Sequence, residues 1–235
     1  MQMKQPVTNN ENFQFTLLSK NISGVFWMLV IIFIGAKRLD YWQGWCYCSF
    51  VLLVFIFTNI FFLNRADLLR EREKPGPGVK RWDNIILKIF TPLFFLIVIV
   101  ASLDAGRFNA DRKLPVLVYL FAYFTLVFSQ GISFWAMRIN KFFSSAVRIQ
   151  KDRGHRVVSK GPYTIIRHPG YLSIILSNFA TALVLGSLWA LIPAGAVSVL
   201  IIIRTYLEDK LLQKELSGYY DYAKKVKYRI LPYIW

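Results

Sequence analysis

The sequence predicts an all-α, polytopic membrane helical bundle of about six helical segments, the last two forming a tight hairpin. Three observations carry that reading. Of 235 residues, 55% are hydrophobic and 17% aromatic, a load that a soluble domain of this size rarely carries. The apolar residues gather in runs close to the roughly 17–25 that a bilayer-spanning helix needs. The net charge of +16 could belong to a nucleic-acid binder, but the basic residues lie in blocks between apolar runs, as in loops at the cytoplasmic face of a membrane. No nucleic-acid partner is expected.

Taken in order, the opening MQMKQPVTNNENFQF is too polar, and too long before the first apolar run, for a signal peptide. Spans are predicted over 21–36, 44–63, 85–103 and 114–137. The first is short, and Lys20 at its boundary would have to snorkel. Cys46 and Cys48 suit neither a strain-free disulfide nor a metal site and read as small apolar side chains. The last apolar stretch, 171–203, is too long for one span and is divided by LGSLWALIP, where Gly186, Ser187 and Pro193 predict a tight helical hairpin. Each arm then has roughly 16 residues, or about 24 Å of helix, short of a hydrocarbon core of about 30 Å.

Charge sets the orientation. With the N-terminus inside, 24 of the 29 Lys+Arg fall in 1–20, 64–84, Lys88, 138–169 and 204–235. The remaining 5 are Lys37, Arg38, Arg107, Arg112 and Lys113, in outside loops. This asymmetry predicts a multi-pass protein with both termini cytoplasmic. The chain divides into N-terminal transmembrane helices, 1–137, and a region 138–235 made of a cytoplasmic loop, the hairpin 170–203 and an amphipathic C-terminal tail. Loop and tail flank the hairpin, so its folding brings them together at the membrane surface.

In the loop RIQKDRGHRVVSKGPYTIIRHPGYL, Gly154, Gly161, Pro162, Pro169 and Gly170 impose short turns. HRVV, residues 155–158, reads as an extended piece with backbone groups free to bond a ligand. Pro169 and Gly170 start the hairpin's first helix, and His168 and Tyr171 fall on neighbouring faces of its first turn. Free N–H groups at such a start attract carboxylate or phosphate. Donors, a histidine and aromatic rings together suit a zwitterionic or cationic ligand bearing one carboxylate. The plainer account puts the basic residues on anionic lipid and Tyr163 and Tyr171 in an interfacial aromatic belt. His155 and His168 have no acidic partner nearby in sequence, so no metal site is expected.

In the tail, Arg204 and Glu208 are four apart and share a helix face. They form either an ordinary ion pair, worth a few tenths of a kcal/mol at a wet surface, or a division of labour. In the second case the carboxylate binds ribose hydroxyls or an ammonium, and the arginine steers an anionic substrate. Tyr219, Tyr220, Tyr222 and Tyr228 beside lysines fit a belt lying on lipid.

The stretches GHRVVSKGPYTIIRHPGYL, RTYLEDKLL and YYDYAKKVKYRILPYIW resemble the isoprenylcysteine carboxyl methyltransferase family of integral-membrane enzymes, relatives of the membrane phospholipid methyltransferases. The resemblance covers about 130–235, with a weaker echo in NRADLLRERE…KRWD at 64–83. It implies S-adenosyl-L-methionine-dependent methyl transfer in a pocket at the cytoplasmic face. It also implies cofactor contacts from His155, Arg156, Val157, Val158, Tyr163, His168, Pro169, Gly170, Tyr171 and Glu208, with Gln150 the nearest match to an upstream cofactor-binding glutamine. Arg204 would contact substrate, and Arg204, Glu208 and Arg167 form the catalytic set. The expected roles are Arg204 on the acceptor carboxylate, Glu208 and His168 on the cofactor, and Tyr163 and Tyr171 walling the sulfonium. The implied acceptor is a lipophilic small molecule or prenylated cysteine, in contact with membrane lipid. The membrane would be the plasma membrane in a prokaryote and the endoplasmic reticulum in a eukaryote. N-methylation of a phospholipid head group, S-methylation of a small thiol and a non-catalytic anionic-lipid-binding role stand as alternatives.

Overall fold

The computed structural model describes residues 7–111 and 113–235; Lys4 and Arg112, two charges counted for orientation, lie outside them. The helices are α1 (Val7–Ala36), α2 (Trp42–Phe61), α3 (Ala66–Glu73), α4 (Arg81–Ala101), α5 (Val116–Ile139), α6 (Pro169–Val184), α7 (Leu191–Glu215) and α8 (Tyr219–Lys225). Among the described residues five stretches are long and apolar enough to cross a membrane: Asn12–Ala36, Trp42–Phe61, Arg81–Phe108, Val116–Ile139 and Leu191–Glu215. The apolar α6 is shorter. The protein is therefore a polytopic helical membrane bundle, as its sequence predicts.

Several boundaries differ from the expectation. The first helix begins well before residue 21, so Lys20 is not at a helix end; its ammonium pairs with Glu73 of α3. Helical hydrogen bonding needs no apolar side chains, and an apolar run marks only the part of a helix that faces lipid or core. The third span continues α4 through a π-helical turn, Ser102–Phe108, which packs on the end of α1. A Cβ on Gly106 would lie 2.6 Å from the Ala36 Cβ, so the absence of a side chain there permits the close approach.

The hairpin is present, but its arms are unequal: α6 has 16 residues and α7 has 25. Gly186 turns the chain at φ +82°, a conformation open to glycine. The Ser187 hydroxyl accepts the Ala190 N–H at 3.1 Å and donates to Asp104 at 2.6 Å. Pro193 sits in the first turn of α7, where its missing N–H costs nothing. Past residue 203, α7 runs on through Arg204, Glu208 and Asp209 without interruption. Ile32, Ile97, Val98, Leu185, Val197 and Ile201 form the centre of the core between α1, α4, α6 and α7.

The tail does not lie on lipid as a single amphipathic helix. After α8 the chain crosses the start of α6, where the N–H groups of Arg167 and His168 each donate at 2.9 Å, to the carbonyls of Tyr228 and Arg229. Tyr219 and Tyr222 are buried and Tyr220 is exposed. The belt expectation therefore fails for the first two, which pack with Tyr163, Leu212 and Leu216 instead. Cys46 and Cys48 are both free thiols, the second buried.

Candidate functional site

At the end of the bundle where α4, α6 and α7 meet the loop 140–163 there is a cavity of about 330 Å³. Every residue assigned from the sequence to the catalytic, cofactor or substrate set lines it: Gln150, His155, Arg156, Val157, Val158 and Tyr163 from the loop; Arg167, His168, Pro169, Gly170 and Tyr171 from the start of α6; Arg204 and Glu208 from α7. Arg72 of α3, Ile86, Leu87 and Phe90 of α4, and Phe142 and Phe143 complete the wall.

The loop is braced by its own side chains. Gln150 is buried, with its Nε2 donating to the Phe142 carbonyl at 2.7 Å and its Oε1 accepting from Arg153 at 2.6 Å. Its amide thus holds loop to loop. His155 accepts the Gln150 N–H at Nδ1 over 3.3 Å, and its ring lies 4.7 Å from that of Phe142. Burial first, and then the neighbouring Arg148 and Arg153, push its pKa from 6.5 down to about 4. A neutral ring accepting at Nδ1 carries its proton on Nε2. Among the described residues nothing bonds the backbone of Arg156, Val157 or Val158, which leaves those groups available as the sequence suggests. Tyr163 is buried, accepts from Asn140 Nδ2 at 3.1 Å at its hydroxyl, and receives the Tyr222 O–H on its carbonyl at 2.7 Å. Burial raises its phenol pKa, so it stays protonated.

The start of α6 differs from expectation. Its N–H groups are not all free for an anion, because the tail takes those of Arg167 and His168. The His168 and Tyr171 rings stack, 5.6 Å apart at 19°. The Phe143 ring packs so close to Gly170 that a Cβ there would lie 2.7 Å from it.

Arg167 is saturated within the protein. Its Nε and Nη2 donate to Asp209 at 2.7 and 2.8 Å, and its Nη1 donates to the carbonyls of Val226 and Lys227 at 2.6 and 2.9 Å. Asp209, fully buried, also receives Tyr219 at 3.0 Å, Arg229 at 3.0 Å and Gln213 at 2.9 Å, with His168 Nε2 at 3.3 Å. One carboxylate thus ties α6, α7, α8 and the tail together.

Arg204 and Glu208 share a face without pairing. Arg204 donates through Nε and Nη2 to Asp83 of α4 at 2.6 and 3.0 Å, and through Nη2 to the Ser145 carbonyl at 2.8 Å. Its guanidinium also lies 5.3 Å from the Tyr171 ring centre. A buried carboxylate meeting both fork nitrogens outcompetes a neighbour on the same helix. Glu208 instead accepts the Tyr171 O–H. A third buried pair, Arg148 with Glu71 at 2.8 Å, fixes the loop to α3. Asp83, Glu71 and Asp209 were not singled out by sequence reasoning; the only signal for the first two was the echo at 64–83. Among the described residues no group of three or more His, Cys, Asp or Glu side chains could hold a metal ion.

Spanning helices with a cavity at one end, closed by a braced loop and a returning tail, define a polytopic membrane bundle with a candidate site at the bundle's end. Residues 120–214, within α5 to near the end of α7, match the model of the isoprenylcysteine carboxyl methyltransferase (ICMT) family. No curated protein gives a significant match to the chain.

Proposed function

We propose that this protein uses S-adenosyl-L-methionine to methylate the carboxylate of a lipophilic acceptor such as a prenylated cysteine, at the cytoplasmic face of its membrane with both termini inside. The observation that carries this reading is the convergence of the loop, the start of α6, and Arg204 with Glu208 on one cavity. The donor set fits the cofactor. A volume of about 330 Å³ suits a ligand of that size. The unbonded backbone at 156–158 offers partners for a base, Glu208 offers a carboxylate for an ammonium, and stacked rings suit a cationic sulfur.

When bound, the cofactor supplies an electrophilic methyl on its sulfonium. The protein's residues bind and orient around it. Tyr171 aligns Glu208 by hydrogen bonding, while Tyr163 and His168 wall the site. Arg204, locked by Asp83, presents its remaining edge to the acceptor carboxylate. Arg167 acts as a positioning residue, holding His168 through Asp209, and Gln150 holds His155. An acceptor that is already a carboxylate needs little proton transfer, so positioning and exclusion of water dominate. Ile86, Leu87, Phe90, Ile174 and Ile201 give the cavity an apolar side for the lipophilic part.

Calorimetry of the purified protein with S-adenosylhomocysteine tests the cofactor: binding is expected, and its absence would favour a lipid-binding role. Membranes incubated with methyl-labelled cofactor test the acceptor. Label released by base marks an ester, whereas base-stable label would move the reaction to nitrogen or sulfur.

A further inference from the structure

The cavity is ringed by arginines, and most bring their own counter-charge. Arg148 is matched by Glu71 and Asp152, Arg167 by Asp209, and Arg204 by Asp83. Arg156 is exposed. Arg72, near the end of α3, is the exception: it is partly buried, and among the described residues no hydrogen bond or ion pair engages its guanidinium. Its guanidinium carbon lies 5.0 Å from the centre of the Phe143 ring. Burial pushes its pKa down to about 10. A desolvated cation without a partner is costly, and the cost is offset where a ligand brings the anion.

Arg72 is also held in place. Its carbonyl accepts the Ser145 hydroxyl at 2.7 Å, and its neighbour Glu71 is clamped by Arg148. Phe143 connects it to the start of α6, since the same ring packs against Gly170. Arg72, Tyr163 and Glu208 all line the one cavity, so a cation and an anion face the same enclosed space. Arg204 is already engaged by Asp83, with its guanidinium 5.3 Å from the Tyr171 ring centre, and is assigned to the acceptor. An amino-acid end group, with an ammonium and a carboxylate on one carbon, is the chemistry such a pair recognises.

We propose that Arg72 binds the carboxylate of the cofactor's amino-acid moiety while Glu208 takes its ammonium. This rests on the cofactor reading above and adds a residue from outside the family-matched segment. The guanidinium fork is suited to a carboxylate in a way a lysine is not.

The test is calorimetry on the full chain in detergent, with S-adenosylhomocysteine and its decarboxylated analogue as probes. The wild type should prefer the carboxylate-bearing probe. Arg72→Met should weaken that probe by about 10- to 100-fold, the scale of a lost charge-assisted hydrogen bond, and leave the decarboxylated one unchanged. Arg72→Lys should recover part of the difference, with unchanged melting temperatures as the control for folding. Equal weakening of both probes overturns the proposal as a mere packing effect. Unchanged S-adenosylhomocysteine affinity with a raised KM for a carboxylate acceptor also overturns it, by moving Arg72 to the acceptor. A wild type that binds neither probe overturns the cofactor reading itself, an outcome distinct from failure of Arg72 alone.

Discussion

Asp83→Ala should be among the most destabilising single changes at the site. Asp83 is fully buried and Arg204 is 5% exposed, yet they lie on α4 and α7, 121 residues apart in sequence. Removing the carboxylate leaves a guanidinium without its counter-ion and the Val147 N–H, which donates to Asp83 at 2.7 Å, without an acceptor. Breaking such a pair from one side costs about 3–5 kcal/mol. At roughly 2–4 °C per kcal/mol, that lowers the melting temperature by about 6–20 °C. Replacing both partners with apolar side chains of similar size behaves differently, because the desolvation cost of both charges disappears with the pair. Asp83→Leu with Arg204→Met should therefore melt above either single change, and below the wild type by only about 1–3 kcal/mol, from the Val147 N–H left without its acceptor. Activity should separate from stability, since the stable double variant lacks the cation assigned to the acceptor carboxylate and turns over nothing. Melting in matched detergent, followed by methyl incorporation, measures both. A double variant no more stable than Asp83→Ala refutes the desolvation argument. One that is stable and active refutes the role given to Arg204.

Asp209→Ala should release the tail. It strips the carboxylate from Arg167 and Arg229 together, at a cost of about 3–5 kcal/mol, and should speed proteolysis beyond Val226; an unchanged digestion rate would show that the hub does not latch the tail. Gly170→Ala should force the Phe143 ring to move, at about 1–3 kcal/mol, and weaken S-adenosylhomocysteine binding by calorimetry, with Phe143→Leu relieving the strain. His155 gives a pH signature. Its folded pKa is near 4 against an ordinary 6.5, so between those values the unfolded chain binds more protons. Its stabilising contribution is complete above about 6.5 and drains away as pH falls toward 4. His155→Gln should flatten melting temperature over that window, and parallel profiles would count against it.

What the sequence made legible was what local pattern controls. Apolar runs marked the spans, and Gly186 marked the hairpin turn. The arms came out unequal because Leu, Arg, Glu, Lys and Gln after residue 203 are good helix formers, so α7 continues although its hydropathy falls. The cluster from Gln150 to Tyr171 converges with Arg204 and Glu208 because hairpin topology demands it. Partner choice was not legible. Spacing of four offers Glu208 to Arg204, but Asp83 lies in a distant helix and wins through burial. Tyr219 and Tyr222 look like interfacial residues until Asp209 and the Tyr163 carbonyl are seen to bond their hydroxyls.

The pairing pattern also assigns work to the N-terminal half. Two of the carboxylates that neutralise cavity arginines, Glu71 and Asp83, come from α3 and α4, before the family-matched segment 120–214 begins. They convert Arg148 and Arg204 from mobile charges into fixed walls, with loop 142–148 held between them through Ser144, Ser145 and Val147. A site that acts by positioning depends on such rigidity, since a group ordered in advance needs no reorganisation when its ligand arrives. The early helices are therefore not an exchangeable membrane anchor. A chimera that keeps their hydropathy but loses Glu71 and Asp83 should insert normally and still fail to hold its loop against α4. Amide exchange at residues 142–148 should then rise while the spans stay protected. Unchanged protection of that loop would show that the two acids are dispensable to it.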